Sequence, residues 1–159
     1  MKHITQLFSG SLTLRLATQL DVEQVYAWQC KPETRRYALN KEVPSLVEHQ
    51  AWMTKKLASK NDYFYIIEQK VNKGEKAISV GVVRLDMTAD NTYTISIFIA
   101  PEHFGKGVAK FALKQIDILH PTKTIHATVL KENTASQGLF SRAGYQRINE
   151  EHFTRQPVE

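Results

Sequence analysis

The chain has 159 residues, 42% of them apolar and 23% charged, with seven glycines and five prolines. This suits one domain that buries about two-thirds of the surface of its open chain, and excludes collagen-like, proline-rich and mainly disordered classes. Twenty-one Lys and Arg against sixteen Asp and Glu leave a net charge of +5. That favours an anionic ligand without choosing among phosphate cofactor, nucleotide and nucleic acid. Cys30 is the single cysteine, so no internal disulfide can form and any zinc site would need histidines and carboxylates. A reducing, cytoplasmic setting is expected. Residues 1–18 lack the pattern of a signal peptide, and the apolar runs are too short to span a bilayer.

Residues 12–17 alternate with period two and read as a strand. Asp21 is expected to cap a helix with Val22, Val25, Tyr26 and Gln29 at helical spacing. Residues 31–44 hold two prolines and the pair Arg35 and Arg36, and read as a loop with a short helix. Ser45 and Glu48 form a capping-box pattern before a helix that carries Leu46, His49, Trp52, Met53 and Leu57. Residues 62–69, 77–86 and 91–100 are strand-forming runs, separated by a charged turn at 73–75 and a turn at 88–91. They form an antiparallel meander ended by Pro101. Residues 105–119 make an amphipathic helix with two glycines at its mouth. A strand at 124–130, a helix at 133–142 stopped by Gly144, and a last strand at 145–155 complete the chain. The helix between the fourth and fifth strands lets those two lie parallel. The expectation is one α/β (α+β) domain spanning 1–159, with its core in 12–150. It has a mixed, mostly antiparallel sheet of six or seven strands and about four helices.

Two stretches carry chemistry. In Pro101-Glu-His-Phe-Gly105-Lys-Gly107-Val-Ala109 a strand enters a glycine-rich loop that becomes a helix. Backbone N–H groups there lack partners, the helix dipole is positive, and glycines let a bulky anion approach. A phosphate or pyrophosphate is the natural occupant; a tight turn that merely starts a helix is the plain alternative. It is not a P-loop, and Lys110 stands where the dinucleotide fingerprint needs its third glycine. The second stretch runs from Val129 to Tyr145. Asn133 is placed to cap its helix, and Ser136 and Phe140 share a face. By itself this is an ordinary capped helix.

Together, in this order and after this meander, the two stretches resemble the GNAT superfamily of acetyl-coenzyme A-dependent N-acetyltransferases. The hexamer Phe104-Gly105-Lys106-Gly107-Val108-Ala109 matches the family's phosphate signature. Asn133, Ser136, Phe140, Gly144 and Tyr145 match its later helix, and Leu14-Arg15-Leu16-Ala17 with Asp21 looks like its usual start. The resemblance implies acetyl-coenzyme A as co-substrate and no metal. The pyrophosphate would lie over residues 105–109 and the thioester between the splayed fourth and fifth strands, near Phe98 and Ile99. Two departures stand out. Phe104 replaces the Arg or Gln that opens the signature, which Lys106 or Lys110 would have to offset. Phe140 replaces the tyrosine that in many relatives protonates the departing thiolate.

The amine must lose a proton. Some relatives carry a basic glutamate at the position of Thr128, which cannot serve. His126 shares that strand face by period two and titrates near neutrality; a hydrogen-bonded core histidine is the plain alternative. Ser96, Glu102 and His103 are rivals. Trp28, Arg35, Arg36, His49, Trp52 and Arg84 resemble the acceptor side of the branch that acetylates amino groups on nucleotide-linked sugars, as in pseudaminic acid and surface-polysaccharide synthesis. Aromatic faces would stack on sugar or base and arginines would pair with diphosphate. Core tryptophans and solvated arginines are the plain alternative. A protein N-terminus or another small amine is the second acceptor class, and a non-catalytic coenzyme A-binding module the third reading. No nucleic-acid module signature is present. The edge strands of such a sheet can pair in a homodimer.

Overall fold

The period-two run at the start of the domain forms β1 (Leu12–Leu16), which pairs antiparallel with β2 (Tyr63–Gln69). The computed structural model describes residues 12–70, 74 and 76–158. β3 (Ile78–Ala89) and β4 (Thr92–Ile99) complete the meander. Strand β3 runs through Ala89, so the turn shortens to Asp90 and Asn91, with Asn91 at a positive φ of 56°. Of the charged turn at 73–75, only Gly74 lies within the described residues.

Between β1 and β2 come α1 (Val22–Gln29), α2 (Pro32–Arg36) and α3 (Leu46–Ala58). The Ser45–Glu48 capping box starts α3 as expected. Asp21 takes a different place from the one predicted. It is the third residue of a capping box opened by Thr18, and its side chain makes no cap to α1. Its carboxylate accepts from the Thr18 amide and from Arg15 at 2.7 and 2.8 Å. A buried carboxylate with a guanidinium six residues back is better satisfied by that pair than by exposed helix amides.

Helix α4 (Val108–Leu119) crosses from β4 to the parallel strand β5 (Thr124–Thr128). It buries Val108, Ala112, Leu113 and Ile116 as one stripe. Helix α5 (Thr134–Arg142) follows, with the Asn133 side chain accepting from the Ser136 amide. It ends in a Schellman motif. Gly144 adopts φ 88°, its N–H donates to Ser141 O, and the Tyr145 N–H donates to Phe140 O. The Phe140 and Tyr145 rings close the motif with centroids 5.0 Å apart.

The expected last strand is two strands. β6 (Gln146–Arg147) and β7 (His152–Arg155) pair as a hairpin, and β7 lies between β5 and β6 in the sheet order β1-β2-β3-β4-β5-β7-β6. The break falls at Asn149, whose side-chain oxygen accepts from the Glu151 amide at 3.0 Å and from His152 Nδ1 at 2.8 Å. Such local bonds compete with the ladder and make a turn. The result, among the described residues, is seven strands and five α-helices.

Helices α4 and α5 cover one sheet face with a core that includes Val83, Leu85, Ile95, Ile116, Ile125 and Phe153. Helices α1 and α3 cover the other over β2, β3 and β4, with Val25, Trp28, Met53, Phe64, Ile66 and Val82 buried. The β2–β3 register shifts so that Ile67 faces Gly81 and Glu68 faces Ser79, leaving Val80 as an extra residue. That bulge explains why Val80 and Val83, three apart, enter the same core. Arg155 pins the far end of α4. It donates to Asp117, to His120 O and to Lys123 O at 2.8, 2.6 and 2.7 Å.

Candidate active site

Strands β4 and β5 pair over only three positions, the last being Thr94 with His126. Beyond them β4 runs to Ile99 and β5 to Thr128 with no further pairing. The two strands therefore diverge, and the β5 side of residues 95–99 faces a wedge instead of a ladder partner.

At the wide end of the wedge, a 3₁₀ turn (Pro101–His103) leads into the glycine loop and α4. Gly105 and Gly107 have φ of 74° and 76°. A Cβ on either would meet no atom within 4 Å, so space lies open beside both. The first bond from within the helix to this loop is Phe111 N–H to Gly107 O at 3.0 Å, which leaves the amides of residues 108–110 without helical acceptors. Phe104 is exposed and adds no charge, while Lys106 and Lys110 are exposed on either side of Gly107. His103 is half-buried, and burial, reinforced by Lys106, lowers its pKa against the pull of Glu102. Helix α5 carries Asn133 and half-buried Ser136 toward its start, and Phe140 buried against Tyr145 and Phe153. With a carbon ring there, this position has no proton to donate.

The opposite face meets α1 and α3. Trp28 is buried, with its ring edge-on to Phe98 at 6.2 Å. The Arg84 guanidinium stacks 4.9 Å over Trp52, donates from Nε to both Asp86 oxygens at 3.1 Å, and reaches Ser96 Oγ at 3.3 Å. Lys56 links Asp86 and Asp62 at 3.1 and 3.4 Å. Burial alone would raise the Asp62 pKa, but the Met87 N–H and Lys56 hold it below the usual value. Trp52, Arg84, Ser96 and Phe98 are thus brought together beside the wedge.

Two of the predicted residues, His49 and Arg35, are engaged internally. His49 is buried between Tyr26 and Trp52, with Nε2 donating to Val22 O at 3.0 Å; burial lowers its pKa against the opposing pull of that hydrogen bond. Arg35 donates to Gln29, to Asn40 O and to Glu42 O, tying the loop after α2 to α1. Arg36 is exposed and lies 5.1 Å over Tyr37. His126 is half-exposed on β5, while its neighbours Ile125 and Ala127 point into the core. Lys56 and Asp86 escaped sequence reasoning. The alternation Arg84-Leu-Asp86 placed a cation and an anion on one strand face, and that was the signal available.

A surface hollow of about 490 Å³ beside the start of α1, lined by Gln19, Leu20, Val22, Glu23 and Gln50, shares no residue with the wedge. Among the described residues no group of three His, Cys, Asp or Glu could hold a metal ion, and no helix is long and apolar enough to cross a membrane.

The acetyltransferase (GNAT) domain family matches residues 11–146, and the chain belongs to that family. It is an acyltransferase by that membership. Solved structures carry the same fold. Spermidine N-acetyltransferase from Vibrio cholerae, in complex with CoA and spermine, is 21% identical with a TM-score of 0.76, over 94% of this chain and 90% of that one. A ribosomal alpha-N-protein acetyltransferase with coenzyme A is 13% identical, TM-score 0.74, over 92% and 94%. An aminoglycoside acetyltransferase with coenzyme A and kanamycin is 18% identical, TM-score 0.73, over 92% and 95%. Compared with curated proteins, the chain matches none.

Proposed function

We propose that the enzyme transfers an acetyl group from acetyl-coenzyme A to a primary amine. The observation that carries this is the open space beside Gly105 and Gly107, at the mouth of the β4–β5 wedge. A pyrophosphate there would take the free amides of residues 105–109, with Lys106 or Lys110 supplying the charge that Phe104 lacks. Phe98 and Ile99 would offer backbone to the thioester, and Asn133, Ser136 and Phe140 would line its other side. Acetyl-coenzyme A supplies an activated acyl group. The protein's share is to exclude water, polarise the carbonyl and take the proton that the attacking amine releases. We assign that proton to His126, the imidazole at the last β4–β5 pair, where the two strands part. The thiolate then takes its proton from water, since Phe140 has none.

For the acceptor we propose an amino group on a nucleotide-linked sugar, lying against Trp52 and Arg84 with its diphosphate at Arg36, while buried Trp28 packs behind Phe98 and has no face free for it. Arg36 is favoured for the diphosphate because Arg35 and Arg84 already hold internal partners. A protein N-terminus or a polyamine is the second class. The test is thiol release from acetyl-coenzyme A with amino-sugar nucleotides, peptides, polyamines and aminoglycosides, paired with calorimetry. Release with amino-sugar nucleotides alone is the expected result. Release with another amine corrects the acceptor. Binding without release from any amine makes the chain a coenzyme A-binding module, and absence of binding removes the proposal.

A further inference from the structure

One polar row crosses five strands on the face that carries α1 and α3. Asp86 faces Thr94, Thr94 lies beside His126, His126 faces Thr154, and Thr154 faces Gln146. Partners in register put their side chains on one face of the sheet. Among the described residues, the core beneath α1 and α3 contains no member of β5, β6 or β7.

Thr154 is the anomaly in the row. It is only 7% exposed, and its Oγ1 is buried with no hydrogen-bond partner. A buried hydroxyl left alone costs free energy, and native structures rarely keep one without a use. Its neighbour across the strand, His126, also makes no hydrogen bond among the described residues. Directly opposed Cβ atoms lie about 4.5–5.5 Å apart, so rotation of the two side chains brings Oγ1 and the imidazole Nδ1 within direct or one-water reach.

We infer that Thr154 is a positioning residue for His126. Its Oγ1 accepts from Nδ1–H and thereby leaves the lone pair on Nε2. A neutral imidazole has one N–H and one lone pair, and the bond made by one nitrogen decides what the other can do. A base must present the lone pair to the amine, whereas a histidine left to water favours the Nε2–H form. The catalytic value of this arrangement rests on the assignment of His126 as base. The tautomer itself does not.

Nitrogen-15 NMR of the histidine rings in the folded protein, at a pH where the rings are neutral, reads the tautomer without turnover; H126A identifies the signal. The expected result is Nδ1–H in the parent, a shift toward Nε2–H in the isosteric T154V, and return in T154S. In T154V kcat should fall about 10-fold or more, with acetyl-coenzyme A affinity unchanged and recovery in T154S. An Nε2–H parent, or a T154V protein with the parent tautomer, overturns the inference whatever the activity. Full turnover in H126A overturns the base assignment alone, because the tautomer result is independent of it.

Discussion

Gly107 concentrates two demands on one residue. Its φ of 76° strains any side chain, at about 1–3 kcal/mol, and a Cβ would project into the space where a phosphate must approach. Gly107→Val should fold with reduced stability and show no calorimetric signal with acetyl-coenzyme A; unchanged affinity would put the cofactor elsewhere. Phe140→Tyr should keep or raise turnover, since it restores a proton donor within the same ring volume. Collapse of activity in a folded variant would mean that the apolar ring is itself required. At Asp21 burial acts to raise the pKa, but the Arg15 and Thr18 hydrogen bonds win and lower it. A depressed carboxylate contributes stability that is present above its unfolded pKa and lost as pH falls through its folded one. Asp21→Asn should therefore cost about 1–3 kcal/mol at pH 7. The gap to the parent should close as pH drops below the ordinary carboxylate range, which thermal melts across pH would reveal.

At the scale of elements, the β3 bulge sets the end of β4. A Cβ on Gly81 would lie 2.8 Å from Phe98 O and 2.9 Å from Ile99 Cδ1. Gly81→Ala should push that strand end aside, destabilise the fold by about 1–3 kcal/mol, and raise KM for acetyl-coenzyme A. An unmoved KM would show that the strand end does not hold the thioester. The loop after α2 hangs on Arg35, so Arg35→Ala should raise KM for the acceptor while the affinity for acetyl-coenzyme A stays level. The strands of the meander and the helices were legible because each shows a sustained period or a capping signal. Strands β6 and β7 were not: a two-residue strand has no period, and the Asn149 turn reads as strand continuation. The acceptor wall was half legible. Trp52 and Arg84 are visible as residue types, but the pairing of Lys56 with Asp62 and Asp86 depends on α3 meeting β2 and β3, which no local pattern encodes. The glycines at the mouth of α4 were legible by residue type, but residues 105–107, read as its first turn, form a loop ahead of a helix that begins at Val108, and the 3₁₀ turn at Pro101–His103 has no local signal beyond its proline.

Across the whole molecule, acid stability should fall in two stages. His49, His103 and His120 have pKa values lowered chiefly by burial, so each binds its proton more readily when unfolded. Folding stability should decline as pH drops through the ordinary imidazole range near 6.5, before the carboxylates begin to protonate. His120 Nε2 lies 2.7 Å from the Tyr65 hydroxyl; His120→Gln, which can keep that hydrogen bond, should flatten the first stage of a plot of Tm against pH. A parent profile that is flat between pH 7 and 5 would contradict it. The meander and the parallel β4–β5 pair were legible, since short turns join the one and a helix separates the other, but the place of β1 beside β2 was not. The insertion of β7 beside β5 was not, because it is a choice between two edges that only the assembled sheet decides.

Arg155 holds α4 at one end only. Its bonds to Asp117, His120 O and Lys123 O fasten the carboxyl end, whereas the amino end opens onto the glycine loop with donors still unclaimed. Deuterium should therefore enter this helix unevenly, quickly at residues 108–110 and slowly at residues 116–120. Addition of coenzyme A should slow the fast end and leave the slow end as it was. The helix then behaves as a hinged latch whose free end reports occupancy of the cofactor site.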